Sequence, residues 1–399
     1  MAMEPSAQAK LFEAASPNDG VDDGLGEFRN QFGIMARQHI RALVGRHRIK
    51  ASETIQESQY QPASLDLRLG AKAYRIRASF LPGKNRTVAD LLTDIGYEEM
   101  ALDEPGCVLE RGCVYLVPLI ESLNLQKSIS AVANPKSSTG RLDIFTRLIT
   151  DDSEIFDHVA NGYVGPLYAE VSPRSFSVRV RTGSRLNQIR FRRRNSQQLL
   201  QTNFAVQDRT LQHLHSVSRL VDGDLNVRDG LILRVALSAE TIGNVVGYRA
   251  QTHTDVIDVD KLSYYRVDDY WETLFVRPDR RLILDPGAFY ILASQERLYI
   301  PPSVAAEMVA IDPAMGEFRV HYAGFFDPGF GHTTTGYPGS RAVLEVRSHE
   351  VPFILEDGQF IGRLVYEDMA AEPEALYGQI GVSNYQGQDL KLSKHFKAP

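Results

Sequence analysis

The sequence predicts an all-β chain of two tandem, distorted, jelly-roll-like barrels, and three observations carry that reading. From Ser64 onward the chain breaks into short alternating or apolar runs bounded by Gly, Pro and Asp, the pattern of many short strands joined by tight turns rather than of βαβ units. Helical periodicity is confined to one early segment and a few small stretches. The third observation is an internal repeat. Leu109-Glu-Arg-Gly-Cys-Val-Tyr-Leu-Val-Pro-Leu-Ile-Glu-Ser-Leu123 is echoed by Leu284-Asp-Pro-Gly-Ala-Phe-Tyr-Ile-Leu-Ala-Ser-Gln-Glu-Arg-Leu298, and Gly165-Pro-Leu-Tyr-Ala-Glu-Val171 by Ser340-Arg-Ala-Val-Leu-Glu-Val346, in step.

Taken in order, residues 1–30 are rich in Ala, Ser, Gly and Asp, with Pro17-Asn-Asp-Gly20 among them, and are expected to form a mobile tail. Between Phe32 and Arg46 the apolar residues Ile34, Ile40, Leu43 and Val44 recur at helical spacing among Arg and His, which predicts a short amphipathic helix. Val114–Val117, Leu167–Val171, Ser177–Val180, Leu282–Leu284, Phe289–Ala293, Phe318–Tyr322 and Ala342–Val346 read as strands. The repeat divides the chain into a first barrel with its helix (31–195), a linker (196–244), a second barrel (245–370) and a C-terminal arm (371–399). The linker holds two helical stretches, Gln197–Gln201 and Leu211–Ser216, and no recognisable chemistry.

Composition narrows the class. With 399 residues and a formal net charge of −6, the chain suits two domains and argues against general nucleic-acid binding, although a mildly acidic protein can still hold a local basic site. Cys107 and Cys113 are its two cysteines, which suits a reduced cytoplasm. No apolar run approaches the roughly 20 residues that span a bilayer, and no basic-then-apolar leader opens the chain. A soluble, cytoplasmic protein is expected.

The densest chemistry lies in Asn134-Pro-Lys-Ser-Ser-Thr-Gly-Arg-Leu142. Lys136 and Arg141 supply charge, Ser137 and Ser138 supply hydroxyl donors, and Gly140 lets backbone approach, so the stretch reads as an anion cradle. It is not a Walker loop, because the Gly-x-x-x-x-Gly-Lys-Ser/Thr spacing is absent. The aligned part of the second half, Val309-Ala-Ile-Asp-Pro-Ala-Met315, lacks both hydroxyls and both cations. Conversely, the second half has a clean Asp327-Pro-Gly hairpin where the first has Asp157-His-Val-Ala-Asn-Gly162, read as the same turn lengthened.

These motifs in this order resemble the dCTP deaminase branch of the trimeric dUTPase superfamily. Gln61-Pro-Ala-Ser-Leu-Asp-Leu-Arg-Leu-Gly70 is similar to its opening strand, and Lys136 to Leu142 to its phosphate motif with Lys replacing the first Arg. Phe326-Asp-Pro-Gly-Phe-Gly331, Ala342-Val-Leu-Glu-Val346 and Leu355-Glu-Asp-Gly-Gln-Phe-Ile-Gly362 resemble the base-pocket hairpin, the glutamate strand and the strand after it. Tyr385-Gln-Gly-Gln388, with Ser393 and Lys394, resembles its C-terminal arm.

The resemblance implies hydrolytic deamination of dCTP to dUTP and ammonia in deoxynucleotide supply, by a zinc-free route with a strand-borne glutamate as general base and acid. The His-x-Glu and Pro-Cys-x-x-Cys signatures of zinc deaminases are absent. Mg²⁺ is expected to accompany the triphosphate. Glu345 and Glu170 are each a lone acid in an apolar strand, where burial lifts a carboxyl pKa toward neutrality, although a barrel-rim acid facing water fits the residues equally well. Arg141 is the natural cation to hold the working one. Asp327 and Asp157 are the expected ligands of the deoxyribose 3′-hydroxyl, and Phe330 or Tyr163 the pocket lining. His332-Thr-Thr-Thr-Gly336 is a candidate contact to base or phosphate. Tyr385, Gln388 and Lys391 form a candidate lid. The arginines between Arg174 and Arg194 read best as a solvated or intersubunit face.

Family sites lie between neighbouring barrels, so a homo-oligomer is expected and two arrangements are open. A composite site pairs Lys136–Arg141 with Asp327 and Glu345; a ring of first halves would use Asp157 and Glu170 instead. The composite is preferred. A dUTP diphosphatase, a bifunctional deaminase-diphosphatase and a nucleotide-binding regulator without catalysis are the alternative functions.

Overall fold

The computed structural model describes residues 26–28, 30–195, 204–309, 318–320, 324–332, 339–348, 350–379 and 384–398. The chain is all-β with few helices, as expected. The early amphipathic segment forms the helix Arg37–Gly45, which turns Arg37, His39, Ile40 and Leu43 inward. One helix escaped the reading: Val88–Ile95, capped by the Thr87 hydroxyl on the Asp90 amide, with the Asp90 carboxylate reaching back to the Thr87 amide. The Thr-x-x-Asp signal for it is present in the sequence.

Each half builds the same small sheet. In the first, Leu65–Asp66, Asn187–Arg193, Ile129–Pro135 and His158–Val159 pair in that order; in the second, Leu231–Arg234, Phe360–Asp368, Val304–Val309 and Phe325–Phe326 repeat it. Side-chain locks recur with it. The Tyr115 hydroxyl accepts the Glu110 amide and the Tyr290 hydroxyl the Asp285 amide, each at 2.9 Å. The Arg68 guanidinium bonds buried Glu121 at 2.7 Å, and Arg234 bonds Glu296 at 2.9 Å.

This last pair changes the view of the stretch read as a linker. Leu231–Arg234 is the second barrel's own opening strand, the counterpart of Leu65–Arg68, and Leu211, Leu220, Leu231, Leu233, Val235 and Leu237 belong to the second barrel's core. The repeat was hidden because Ile232 stands in the register of Asp66, removing the one polar residue that marks the first copy. The helix Asp208–Val217 matches the second helical stretch; the first lies outside the described residues.

Strand alternation then creates the seam between the barrels. In Ser340–Ser348, Leu344 and Val346 enter the second barrel's core while Val343, with Phe289 and Ile291 of the neighbouring strand, packs against Leu142, Ile144 and Phe176 of the first barrel. Ile257–Asp258 extends a first-barrel strand pair, Cys107–Leu109 with Val178–Val180, by pairing in parallel with the latter. The Arg347 guanidinium crosses the seam to Asp143. Among the described residues no helix is long and apolar enough to cross a membrane.

Candidate active site

At the seam lies a cavity of about 550 Å³ lined by both barrels and by the C-terminal arm, a size that suits a small-molecule ligand. It contains Lys136, Ser137, Ser138 and Arg141 from the first barrel, Asp327, Phe330 and Glu345 from the second, and Tyr385, Gln388 and Lys394 from the arm.

The cradle forms because Pro135 ends its strand and the chain then makes a single helical turn, Ser137–Gly140, fixed by a 2.9 Å bond from the Thr139 hydroxyl to the Leu186 carbonyl. Gly140 is needed for space rather than for φ. A Cβ there would stand 3.0 Å from the carboxylate of Glu345, which lies flat against this backbone. Glu345 sits on the seam face of its strand, and desolvation pushes its pKa up to about 8, with Arg141 opposing and Asp143 adding to the rise.

The bonds of Arg141 run to the arm rather than to the Glu345 carboxylate, on which it acts through its charge. Its Nη1 donates to Gln388 Oε1 at 3.1 Å and to the Lys391 carbonyl at 2.9 Å, and its guanidinium stacks 3.9 Å over the Tyr385 ring. The arm is pinned again where the Ser393 hydroxyl donates to the Ser138 carbonyl at 2.7 Å, and where His395 bridges Ser393 and the Val259 carbonyl. Burial lowers the His395 pKa to about 4.

At the cavity's other end the Lys136 ammonium meets buried Asp66. Lys394 joins them, its pKa lowered to about 8 by desolvation and next by Lys136, with Arg185 also contributing. A buried ammonium with further cations around it marks a place suited to an anion. Asp66, Arg185 and Lys394 were not singled out as site residues. For Asp66 the signal was there, a lone acid in an apolar run like that of Glu345.

Lys391 is not among the residues lining the cavity: its ammonium donates to the Asn384 carbonyl at 2.6 Å and lies 5.8 Å from the centre of the Tyr385 ring, and its backbone carbonyl accepts from Arg141.

The structure also separates the two glutamates. Glu170 lies outside the cavity, with the Arg147 Nη2 2.9 Å from its Oε1. Neighbours on its face, Leu116 and Ile149, pack under Val88 and Leu92 of a helix that, among the described residues, only the first barrel carries. That helix covers the surface on which the second barrel instead meets a neighbour.

Asp157 is not the counterpart of Asp327. Val159 pairs with Ala131 as Phe326 pairs with Ala306, all four in barrel cores. The Tyr163 amide donates to the Ala160 carbonyl at 3.2 Å as the Phe330 amide donates to the Asp327 carbonyl at 3.1 Å. Ala160 therefore occupies the place of Asp327 and Tyr163 that of Phe330. Asp157 lies three residues too early; its carboxylate accepts the Leu148 amide at 2.7 Å, and burial pushes its pKa up to about 7. Phe330 lines the cavity, set edge-on against Phe326 at 5.2 Å, whereas the Tyr163 hydroxyl bonds the Pro166 carbonyl away from it. Residues 333–336 of the polar hairpin lie outside the described residues.

Among the described residues, no three His, Cys, Asp or Glu side chains cluster as metal ligands. Cys107 and Cys113 sit on and beside a first-barrel strand and are not among the residues lining the cavity.

A family model described as the 2'-deoxycytidine 5'-triphosphate deaminase (DCD) N-terminal domain matches residues 31–195, and one for the C-terminal domain of the same deaminase matches residues 207–396. A crystal structure of 2'-deoxycytidine 5'-triphosphate deaminase from Agrobacterium tumefaciens is 53% identical, with a TM-score of 0.80 over 86% of this chain and 100% of that one. A dCTP deaminase, dUMP-forming, from Halobacterium salinarum is 26% identical over 43% of this chain and 87% of its own length. Proteins of the same description from Kocuria rhizophila and Bifidobacterium longum are 32% and 34% identical over 28% and 29% of this chain. The chain spans 57% and 58% of the length of those two relatives.

Proposed function

Because this chain belongs to the 2'-deoxycytidine 5'-triphosphate deaminase family, we propose that the seam cavity binds dCTP and converts it, with water, to dUTP and ammonia. The observation that carries this reading is Glu345, a buried carboxyl raised to about 8 and set against the phosphate cradle of the other barrel. A carboxyl poised near neutrality can both take and return a proton at working pH.

Water adds to C4 of cytosine as Glu345 takes its proton and passes it to N3. Glu345 then takes the proton of the new C4 hydroxyl and hands it to the amino group, so that the C4–N bond breaks, C4=O forms and ammonia leaves. Ser137, Ser138, Lys136 and Lys394 bind the triphosphate, which arrives as its magnesium salt. Asp327 accepts from the sugar 3′-hydroxyl beside Phe330, and Tyr385 and Gln388, held by Arg141, close the site against bulk water. Zinc takes no part. The product would feed dUTP-consuming nucleotide synthesis.

Relatives described as dUMP-forming favour a second reading, in which the same cavity also releases pyrophosphate. One assay separates these readings: incubate the protein with dCTP or dUTP, with and without Mg²⁺, and follow ammonia and pyrophosphate. Ammonia from dCTP with no pyrophosphate is the expected result. Pyrophosphate from dCTP supports the bifunctional enzyme, and pyrophosphate from dUTP without ammonia from dCTP makes it a diphosphatase. Tight binding of either nucleotide with neither product would leave a regulator.

A further inference from the structure

One member of the arginine-rich run does not belong to any solvated face. Arg190 is 1% exposed and reaches out of the first barrel into the second. Its Nη1 donates to the Ala306 carbonyl at 3.2 Å, and its Nη2 to Asp327 Oδ1 at 3.0 Å and, at the limit of a hydrogen bond, to the Phe326 carbonyl at 3.5 Å. The guanidinium lies 3.9 Å from the centre of the Phe325 ring, and only its Nε has no partner. A forked cation thus grips the hairpin's backbone and its aspartate together, which a point-like ammonium cannot do.

The internal repeat supplies a comparison within the chain. Phe191 pairs with Ala131 and Tyr366 with Ala306, all inside their barrel cores, so Val365 holds the register of Arg190. Ala160 holds that of Asp327. The first half, which has Ala160 at this turn, carries the arginine, and the second half, which has the aspartate, carries Val365 in the arginine's register: in the pseudo-equivalent pair Val and Ala stand where Arg and Asp stand at the cavity. A general need to knit barrels together would not remove both.

We propose that Arg190 is a positioning residue for sugar recognition. By fixing Asp327 Oδ1 it aims the remaining carboxylate oxygen at the 3′-hydroxyl and so makes the site select nucleotides that carry one. The proposal rests on the dCTP reading of the cavity.

The test compares kcat/KM for dCTP and for 2′,3′-dideoxycytidine triphosphate in the parent enzyme, Arg190→Gln and Arg190→Lys, with thermal unfolding recorded for each. A charge-assisted bond to a substrate hydroxyl predicts a parent preference for dCTP of about tenfold or more. Arg190→Gln should bring the ratio close to unity while turnover of the dideoxy substrate is kept. Arg190→Lys should give an intermediate ratio, and it decides the question alone if Arg190→Gln does not fold. A folded variant of either kind with the parent's full preference overturns the proposal, since a merely structural ion pair would change stability without changing the ratio. A parent that deaminates both substrates equally overturns it too. A parent that deaminates neither removes the underlying dCTP reading, and the proposal falls with it.

Discussion

The carboxyl of Glu345 is costly to ionise where it sits, and that cost is visible in stability as well as in rate. Its folded pKa of about 8 lies above the ordinary value of 4.5, so between those limits the native state binds more protons than the unfolded chain. Stability contributed by this group therefore falls as pH rises from about 4.5 to about 8 and is level beyond. Glu345→Gln cannot ionise. It should be more stable than the parent at pH 8, by up to a few kcal/mol and so with a higher melting temperature, and should melt at nearly the same temperature at pH 4; paired melts at the two pH values check this, and equal differences at both would contradict it. Gly140→Ala probes the same carboxyl from the other side. The new methyl meets the Glu345 side chain at 3.0 Å and costs no backbone strain, so kcat should drop by about tenfold or more while the melting temperature moves little. An unchanged kcat would mean that the carboxylate does not need this seat.

At the level of elements, the arm is held by many contacts to both barrels, and one of them is sensitive to acid. His395 is neutral in its place, with its pKa lowered from 6.5 to about 4. Its contribution is present above pH 6.5 and is lost as pH falls toward about 4, where the ring must charge between Ser393 and the Val259 carbonyl. Hydrogen exchange of residues 384–398 should therefore rise on acidification through this window more than exchange in the barrel strands. Arg141→Ala removes another of these anchors and should raise arm exchange at neutral pH as well as abolish turnover; loss of turnover with normal arm protection would restrict Arg141 to the reacting atoms.

The elements also show what a sequence can and cannot display. The phosphate turn, the Glu345 strand and the arm were legible because each concentrates unusual residue types at fixed spacing. The opening strand of the second barrel was not, since Leu231-Ile-Leu-Arg234 had lost the aspartate that marks its twin. The Asp157 equivalence failed because two hairpins of different length offer an aspartate to the eye, while only strand register shows that Ala160 holds the position. The helix Val88–Ile95 carried its capping signal and was overlooked among strands.

For the whole molecule, the two halves have divided one site between them. The first keeps the cradle and has covered its own glutamate face with a helix, and the second keeps the hairpin and the glutamate. All these groups meet within a single chain. Co-expression of an Arg141→Ala chain with a Glu345→Gln chain should accordingly restore no activity, because neither chain retains an intact cavity; recovery of deamination would show that the halves of different chains combine. The most direct test of this division is the rate of ammonia release from dCTP by Glu345→Gln and Glu170→Gln side by side. Loss of general acid–base catalysis predicts that Glu345→Gln slows by about 10²–10⁴-fold with nucleotide binding kept, and that folded Glu170→Gln stays near the parent rate. A dead Glu170→Gln beside an active Glu345→Gln would contradict the composite site and return the chemistry to the first barrel.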